Sequence, residues 1–83
     1  MNYMSERDLI FAEISRERTA QDEEWGGPDH DDTHERFNWV RFIEKQMWLA
    51  GAAMDRPSDY ESRMVKIAAL AIAAIESTRR TQC

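Results

Sequence analysis

The pattern of apolar and polar positions along the chain predicts three helices and no strand. Apolar side chains recur every three or four residues over about residues 5–24, 34–54 and 59–79, which places them on one face of a helix. No stretch alternates apolar and polar residues as a half-buried strand does. We therefore predict an all-α fold, a three-helix antiparallel bundle that forms one domain over residues 1–83.

Capping residues and helix breakers indicate where these helices begin and end. Ser5 and Asp8 have the spacing of a capping box at the start of the first helix. The sequence Gly-Gly-Pro ends that helix, and residues 25–33 are expected to form a loop. The second helix is expected to be capped by Asp31, Asp32 or Thr33. Ser58 and Glu61 form a full capping box, which predicts the start of the third helix.

The apolar surface of the second and third helices is wider than a three-helix monomer can bury. On the second helix a packed seam is predicted from residues that alternate by three and four: Val40, Ile43, Met47, Ala50 and Met54. With Trp39, Phe42 and Leu49, the apolar arc covers about half of that helix, at ~100° per residue. The third helix is apolar over at least as much of its surface. We therefore predict a homo-oligomer.

Length, cysteine content and charge limit the class of protein. A chain of 83 residues has a marginal core, and a single cysteine, Cys83, excludes an internal disulfide and a cysteine zinc site. No leader-like segment is apparent near Met1, and residues 67–75 are too few to span a bilayer, so we expect a cytoplasmic protein without membrane contact. The net charge of −5 argues against general nucleic-acid binding.

The first candidate for chemistry is the group Glu17, Arg18 and Gln21. These residues continue the side of the first helix that carries Ile10 and Ile14. Polar groups that point toward a core must be paired, so the simplest interpretation is a hydrogen-bonded clamp between helices. The alternative is that Arg18 reaches an anionic ligand.

The second candidate is the run His30, Asp31, Asp32 and His34. Imidazole and carboxylate side chains at this density suit Mn²⁺ or Zn²⁺ better than Ca²⁺. The spacing is not that of a standard helical metal motif, and helix capping explains the same residues more simply. We therefore treat the four as weak metal candidates.

The third candidate is a set of basic residues on the two later helices. Arg41 and Lys45 are four residues apart on the second helix, and Trp48 follows Lys45 by three; Arg63 and Lys66 are three apart on the third helix. Scattered solvated charge is the ordinary explanation. An outward tryptophan beside two cations indicates either a subunit interface or a surface that stacks a base and pairs with phosphate.

Two segments carry a resemblance to a known family. The segment from Glu17 to His34 reads ER-x-x-Q…WGG-x-x-HDD-x-H, and the alanine-rich segment from Met64 to Glu76 contains Ala-Ala-Leu-Ala-Ile-Ala-Ala-Ile-Glu. Together with Trp39 they resemble a family of short uncharacterised phage and prophage proteins, and the similarity covers nearly the whole chain. The resemblance implies a phage origin and supplies no activity.

The chain is also similar to the MazG-like all-helical NTP pyrophosphatases, some of whose phage members share the ER-x-x-Q…WG opening. Those enzymes need carboxylates at EExxE and ExxD to hold Mg²⁺. This sequence departs from both motifs, reading Glu44-Lys45-Gln46-Met47-Trp48 at the first and Arg63-Met64-Val65-Lys66 at the second. The resemblance then implies a nucleotide-binding surface that has lost its catalytic carboxylates.

The leading functional prediction is a phage accessory protein that binds and sequesters a small phosphorylated ligand, a nucleotide signal of host defence, in the cytosol of the infected host. It is not expected to be an enzyme, because Gly-rich phosphate loops, GxSxG and HExxH are missing, and no cofactor is expected. The predicted ligand-binding residues are Arg18, Trp25, His30, Arg41, Lys45, Trp48, Arg63 and Lys66.

Two alternatives come from other classes of protein. An interaction module would inhibit a host enzyme through the acidic segment, whose members are Asp22, Glu23, Glu24, Asp29, Asp31 and Asp32. A metal-dependent nucleotide hydrolase of MazG-like type would use Mg²⁺ or Mn²⁺ at the histidine–aspartate run.

Overall fold

The computed structural model describes residues 4–82, and this part of the chain is helical without strands. The helices are α1 (Glu6–Trp25), α2 (Gly27–Asp31), α3 (Arg36–Gly51) and α4 (Pro57–Thr81). The all-α prediction is confirmed, but the described chain has four helices where the sequence predicted three. Within residues 4–82, no helix has the combination of length and apolar character needed to cross a membrane. Cys83 lies outside the described residues.

The start of α1 is capped as its sequence predicts. The Asp8 N–H donates to the Ser5 hydroxyl at 3.1 Å, and the Ser5 N–H donates to the Asp8 carboxylate at 3.2 Å. The helix ends at Trp25 and is capped by Gly26, whose φ of +100° lies in the left-handed region. Its N–H donates to the Asp22 carbonyl at 2.9 Å, so this position needs a residue without a Cβ.

Helix α2 is the element that the sequence analysis missed, since residues 25–33 were predicted to be a loop. Pro28 stands in its first turn, where a missing N–H costs nothing and the fixed φ favours a helix. Gly26 therefore ends one helix, and Gly27 and Pro28 begin the next.

The predicted caps of the two later helices are wrong. Glu35 precedes α3, and its N–H donates to the Asn38 side chain at 2.8 Å. Asp32 does not cap that helix, because its carboxylate is bound by Arg80 of α4. Helix α4 begins at Pro57, ahead of Ser58, with no capping hydrogen bond from a side chain. Proline at the first turn replaces the predicted Ser58–Glu61 box.

Helix α4 is the platform on which the other helices pack. Within the described residues, α1, α2 and α3 all contact α4, and α2 also contacts α1, but the backbones of α1 and α3 do not approach each other. Alanines allow the closest approach: Ala50 of α3 and Ala53, which follows it, are buried, as are Ala69 and Ala73 of α4. The gap between α1 and α3 is therefore a cleft whose floor is α4.

The core of this open arrangement is small. Among the buried apolar residues of the described chain, Trp39 is the one large side chain, and the others are alanines. The accessible surface is 6482 Å², whereas a monomer of 9.8 kDa is expected to expose about 5200 Å². The radius of gyration is 14.1 Å, against about 12 Å for a compact chain of this length. A single copy leaves an unusual amount of surface uncovered.

The seam predicted on α3 does not pack as a unit. Ile43 and Ala50 face inward, but Val40, Met47 and Met54 are exposed. The packed face lies toward Trp39 and Ala50, because the small alanine allows α4 to approach more closely than the methionines would. The opposite side, called here the outer face of α3, carries exposed apolar side chains, namely Phe37, Val40, Met47 and Trp48.

Candidate functional site

The gap between α1 and α3 contains a cleft of about 490 Å³. Helices α1 and α2 supply one wall, α3 supplies the other, and α4 supplies the floor. Six of the eight predicted ligand-binding residues border it: Arg18, Trp25, His30, Lys45, Arg63 and Lys66. Residues that are distant in sequence, on all four helices, therefore meet in one place.

Two of the predicted residues lie elsewhere. Trp48 is 81% exposed on the outer face of α3, where it borders a shallow hollow with Met47 and Gly51. Arg41 is exposed on α3 and does not border the cleft. At about 100° per residue Lys45 lies about 120° around α3 from the buried Trp39, whereas Trp48 lies about 180° from it, so Lys45 borders the cleft and Trp48 does not.

Three cations form the basic side of the cleft: Lys45, Arg63 and Lys66. Lys66 Nζ is 2.9 Å from Glu17 Oε1 of α1. Arg63 donates to the Gln46 side chain at 3.2 Å. Lys45 has no ion pair or hydrogen bond from its side chain to another described residue, and is therefore free to contact a ligand.

Arg18 is the centre of the interhelical network that the sequence predicted. Its Nη2 lies 3.0 Å from Asp22 Oδ1 and 3.2 Å from Glu76 Oε1 of α4, and its Nη1 donates to the Gln21 side chain at 3.4 Å. Glu17 contributes through its separate pair with Lys66. Arg18 therefore joins α1 to α4, and its guanidinium is already engaged where it borders the cleft.

Asp31 is a buried carboxylate on the wall that α2 contributes. The residue is 7% exposed, and its Oδ2 has no hydrogen-bond partner among residues 4–82. Arg18 Nη2 lies 3.6 Å from this oxygen. Burial raises the pKa of Asp31 above its ordinary value, and the nearby Arg18 charge opposes part of that change.

The raised pKa of Asp31 predicts an unusual dependence of stability on pH. The folded state holds this proton more tightly than the unfolded chain, so the Asp31 contribution to stability is most favourable below its ordinary pKa of 3.8 and is lost as pH rises through the raised pKa. We expect Asp31→Asn to be at least as stable as the wild type at pH 7, with an advantage that shrinks toward pH 4. Thermal melts of both proteins from pH 4 to 7 measure this difference.

The control for this pH series is Asp29→Asn, which removes an exposed carboxylate from the same helix. It should follow the wild-type curve. Asp32 cannot reproduce the effect, because hydrogen bonds from Arg80 and Ser77 lower its pKa, so its contribution is lost as pH falls below about 3.8. Parallel curves for the wild type and Asp31→Asn would contradict the prediction.

The four weak metal candidates are divided among different contacts. Asp32 Oδ1 accepts from Arg80 Nη2 and from the Ser77 hydroxyl, both at 2.9 Å. His30 and His34 contact each other edge to face, with ring centroids 5.0 Å apart. In the part of the chain that the structure describes, no three histidine, cysteine or carboxylate side chains are grouped as a bound metal ion requires.

The histidines instead belong to an aromatic cluster beside the cleft. The rings of Trp25 and His30 are nearly parallel, at 20°, with centroids 6.5 Å apart. His34 contacts the edges of Trp39 and Phe42 at 5.2 and 5.0 Å. All five residues border the cleft, and the exposed ring of Trp25 offers a surface on which a flat ligand can stack.

Sequence analysis assigned no ligand role to Trp39, Phe42 or Gln46, all of which border the cleft. The spacing of these residues along α3 indicates that they share a face with Lys45. Steps of three and four residues connect them with Lys45 on one side of α3, which is the spacing of a shared helical face. The broad apolar arc of α3 obscured this narrower stripe.

The acidic segment is partly neutralised inside the protein. Asp22 pairs with Arg18, Asp31 lies beside the same guanidinium, and Asp32 pairs with Arg80. The remaining acids, Glu23, Glu24 and Asp29, are exposed. About half of the charge that the interaction-module alternative needs is therefore involved in internal pairs.

Fold and site together describe a small open helical protein with a cleft that has a basic side and an aromatic cluster. Comparison with known proteins found no matching family model, no matching curated protein and no matching solved structure.

Proposed function

We propose that the protein binds a small phosphorylated ligand, a nucleotide, in the cleft between α1 and α3 and acts by sequestering it. The observation that carries this proposal is the meeting of Lys45, Arg63 and Lys66 with the aromatic cluster around one cavity. Flexible cations pair with phosphate oxygens, and the aromatic faces stack a base. Both parts of a nucleotide thus find complementary groups in the same cleft.

The floor of the cleft extends along α4 between the basic side and the wall that α2 supplies. Lys66 and Ala73 both border the cleft and are separated by about 10 Å along α4, at roughly 1.5 Å per residue. Ser77, one turn beyond Ala73, holds the end of α2 through Asp31 and Asp32. At the same rise, Ser77 is about 16 Å from Lys66 along α4, so the basic side and the α2 wall lie at opposite ends of the floor.

A bound phosphate must compete with the internal partners of the cations. Lys66 is paired with Glu17, and Arg63 with Asp59 and with the Gln46 side chain. A phosphate group can carry more negative charge than one carboxylate and offers more acceptor oxygens, so exchange of partners is favourable. Lys45 requires no such exchange.

Sequestration without turnover is proposed because the two MazG-like carboxylate motifs are not intact in this sequence. Glu44, the carboxylate retained from the MazG-like motif, borders the hollow beside Trp48 and not the cleft. The resemblance to phage proteins supplies the context: a phage accessory protein that removes a nucleotide signal of host defence from the host cytosol.

The first experiment is a thermal-shift screen against linear and cyclic nucleotides, with and without Mg²⁺ and Mn²⁺. A ligand at ~100 times its dissociation constant adds about 2.7 kcal/mol to the folded state, which raises the melting temperature of a domain of this size by several degrees. A metal-independent shift with nucleotides supports the proposal. No shift with any nucleotide contradicts it and favours the interaction module, and a shift with metal alone favours the hydrolase.

The second part of the proposal is that another copy of this chain covers the outer face of α3. The accessible surface exceeds the expectation for a monomer by about 1300 Å². Two copies that bury this area would form an interface within the range of about 2000–5000 Å² typical of obligate dimers. Exposed Trp48 and Met47 have the apolar and aromatic character that interface centres favour.

We expect the wild type to be a dimer at micromolar concentration and Trp48→Glu to be a folded monomer. A buried, unpaired carboxylate at the interface would weaken association by more than about 100-fold. Light scattering after size-exclusion chromatography measures the mass of each. The control is Ile75→Glu, an equivalent change at an exposed residue of α4; it should remain dimeric. If the wild type is still a monomer at 100 times that micromolar concentration, this part of the proposal is wrong.

A further inference from the structure

The Asp31 carboxylate borders the cleft without the hydrogen bonds that a buried acceptor requires. The residue is 7% exposed, and its Oδ2 has no partner among the described residues. The Arg18 nitrogen that lies 3.6 Å away is closer to Asp22 and Glu76, at 3.0 and 3.2 Å. Arg18 shares its charge among three carboxylates, which leaves Asp31 with unused acceptor capacity.

The Asp31 carboxylate borders the same cleft as the Trp25 and His30 rings, on which a base could stack. Asp31 directly follows His30 in the chain, and Glu24 directly precedes Trp25. Trp25 and His30 are the nearly parallel ring pair, and both carboxylates border the cleft with them. Glu24 makes no ion pair or side-chain hydrogen bond to another described residue. Each ring of the pair is therefore next in sequence to a carboxylate residue that borders the same cleft.

We propose that the ligand is a guanine nucleotide and that Asp31 accepts hydrogen bonds from the N–H edge of its base. This inference rests on the proposed function. A carboxylate has only acceptors, and guanine alone among the common bases presents adjacent imino and amino donors on one edge. Adenine places an acceptor beside its amino group, and uracil flanks its one N–H with carbonyls, so both would set oxygen or nitrogen lone pairs against Asp31.

The experiment measures dissociation constants of GMP, IMP, AMP and UMP by calorimetry on the wild type and on Asp31→Asn. The wild type should bind GMP about 10-fold or more tightly than AMP or UMP, as a good two-point contact to a base edge provides. IMP, which lacks the exocyclic amine, should fall between them. Asp31→Asn should lose most of the GMP preference, whereas Asp29→Asn, from the exposed side of the same helix, should keep it.

Binding of ribose 5-phosphate distinguishes the phosphate-binding proposal from the guanine assignment. It contains the phosphate and sugar without a base, so Asp31→Asn should bind it as the wild type does. Equal affinity of the wild type for the four nucleotides, or an unchanged GMP preference in Asp31→Asn, overturns the guanine assignment and leaves phosphate binding intact. No binding of any nucleotide overturns both. The comparison of GMP with IMP on the wild type decides the assignment even where the variant fails to fold.

Discussion

Replacing Trp39 with alanine is expected to remove a large share of the free energy of unfolding. Trp39 is the one large apolar side chain buried in the described core, at 6% exposure, and its ring contacts those of His34 and Phe42. Removing a buried tryptophan costs about 3–5 kcal/mol. A chain of 83 residues is stable by about 4–12 kcal/mol in total, so the loss takes a large share of what holds the fold together.

Circular dichroism during thermal and urea unfolding measures this effect. The melting temperature should fall by more than about 12 °C, at about 4–8 °C per kcal/mol for a domain of this size. The control is Trp25→Ala, which removes the same side chain from an exposed position and should change stability by about 1 kcal/mol or less. Equal melting temperatures for the two variants would show that Trp39 does not anchor the core.

The second large effect is expected from reversing charge on the basic side of the cleft. Arg63→Glu with Lys66→Glu removes two cations from its floor and places new carboxylates beside Asp59 and Glu17, their present partners. Hydrogen bonds between charged groups contribute about 1.5–3 kcal/mol each. Losing two of them and adding repulsion should weaken binding of a nucleotide identified in the screen by more than about 100-fold, as calorimetry measures.

A matched variant separates a local effect from one of net charge. Arg7→Glu with Arg16→Glu changes the net charge by the same amount, at two exposed positions of α1 that do not border the cleft. It should bind the nucleotide nearly as the wild type does. Helical content is compared by circular dichroism, because only a folded variant tests the site. Wild-type affinity in a folded Arg63→Glu/Lys66→Glu protein would falsify the assignment of phosphate to these cations.

Local signals in the sequence were sufficient for much of the secondary structure. The Ser5–Asp8 cap involves residues three apart, so its hydrogen bonds follow from local geometry. The break after Trp25 follows equally from the glycine that α1 needs at its end. The restart at Gly27 was missed because proline was interpreted only as a helix breaker, although the first turn of a helix accepts it.

Signals that depend on distant partners were interpreted less well. Asp32 has the chemistry of a helix cap, but Arg80 and Ser77, more than 40 positions away, bind its carboxylate. Lys45 and Trp48 look like one group in sequence, yet the packing of α3 on α4 turns Lys45 toward the cleft and Trp48 toward solvent. The helix that packs against α3 decides which of its two neighbouring faces is buried.

The sequence by itself determined the all-helical character of this protein, the start of α1, and six of the residues that border the cleft. Those properties depend on spacing of three or four residues and on the chemistry of single side chains. Only the tertiary structure decided that α1 and α3 stay apart on α4, and that Asp31 is buried beside the stacked pair of Trp25 and His30. The first outcome depends on how closely alanines let two helices approach, and the second on which charged groups this packing removes from water. Neither can be derived from the residues that are neighbours along the chain.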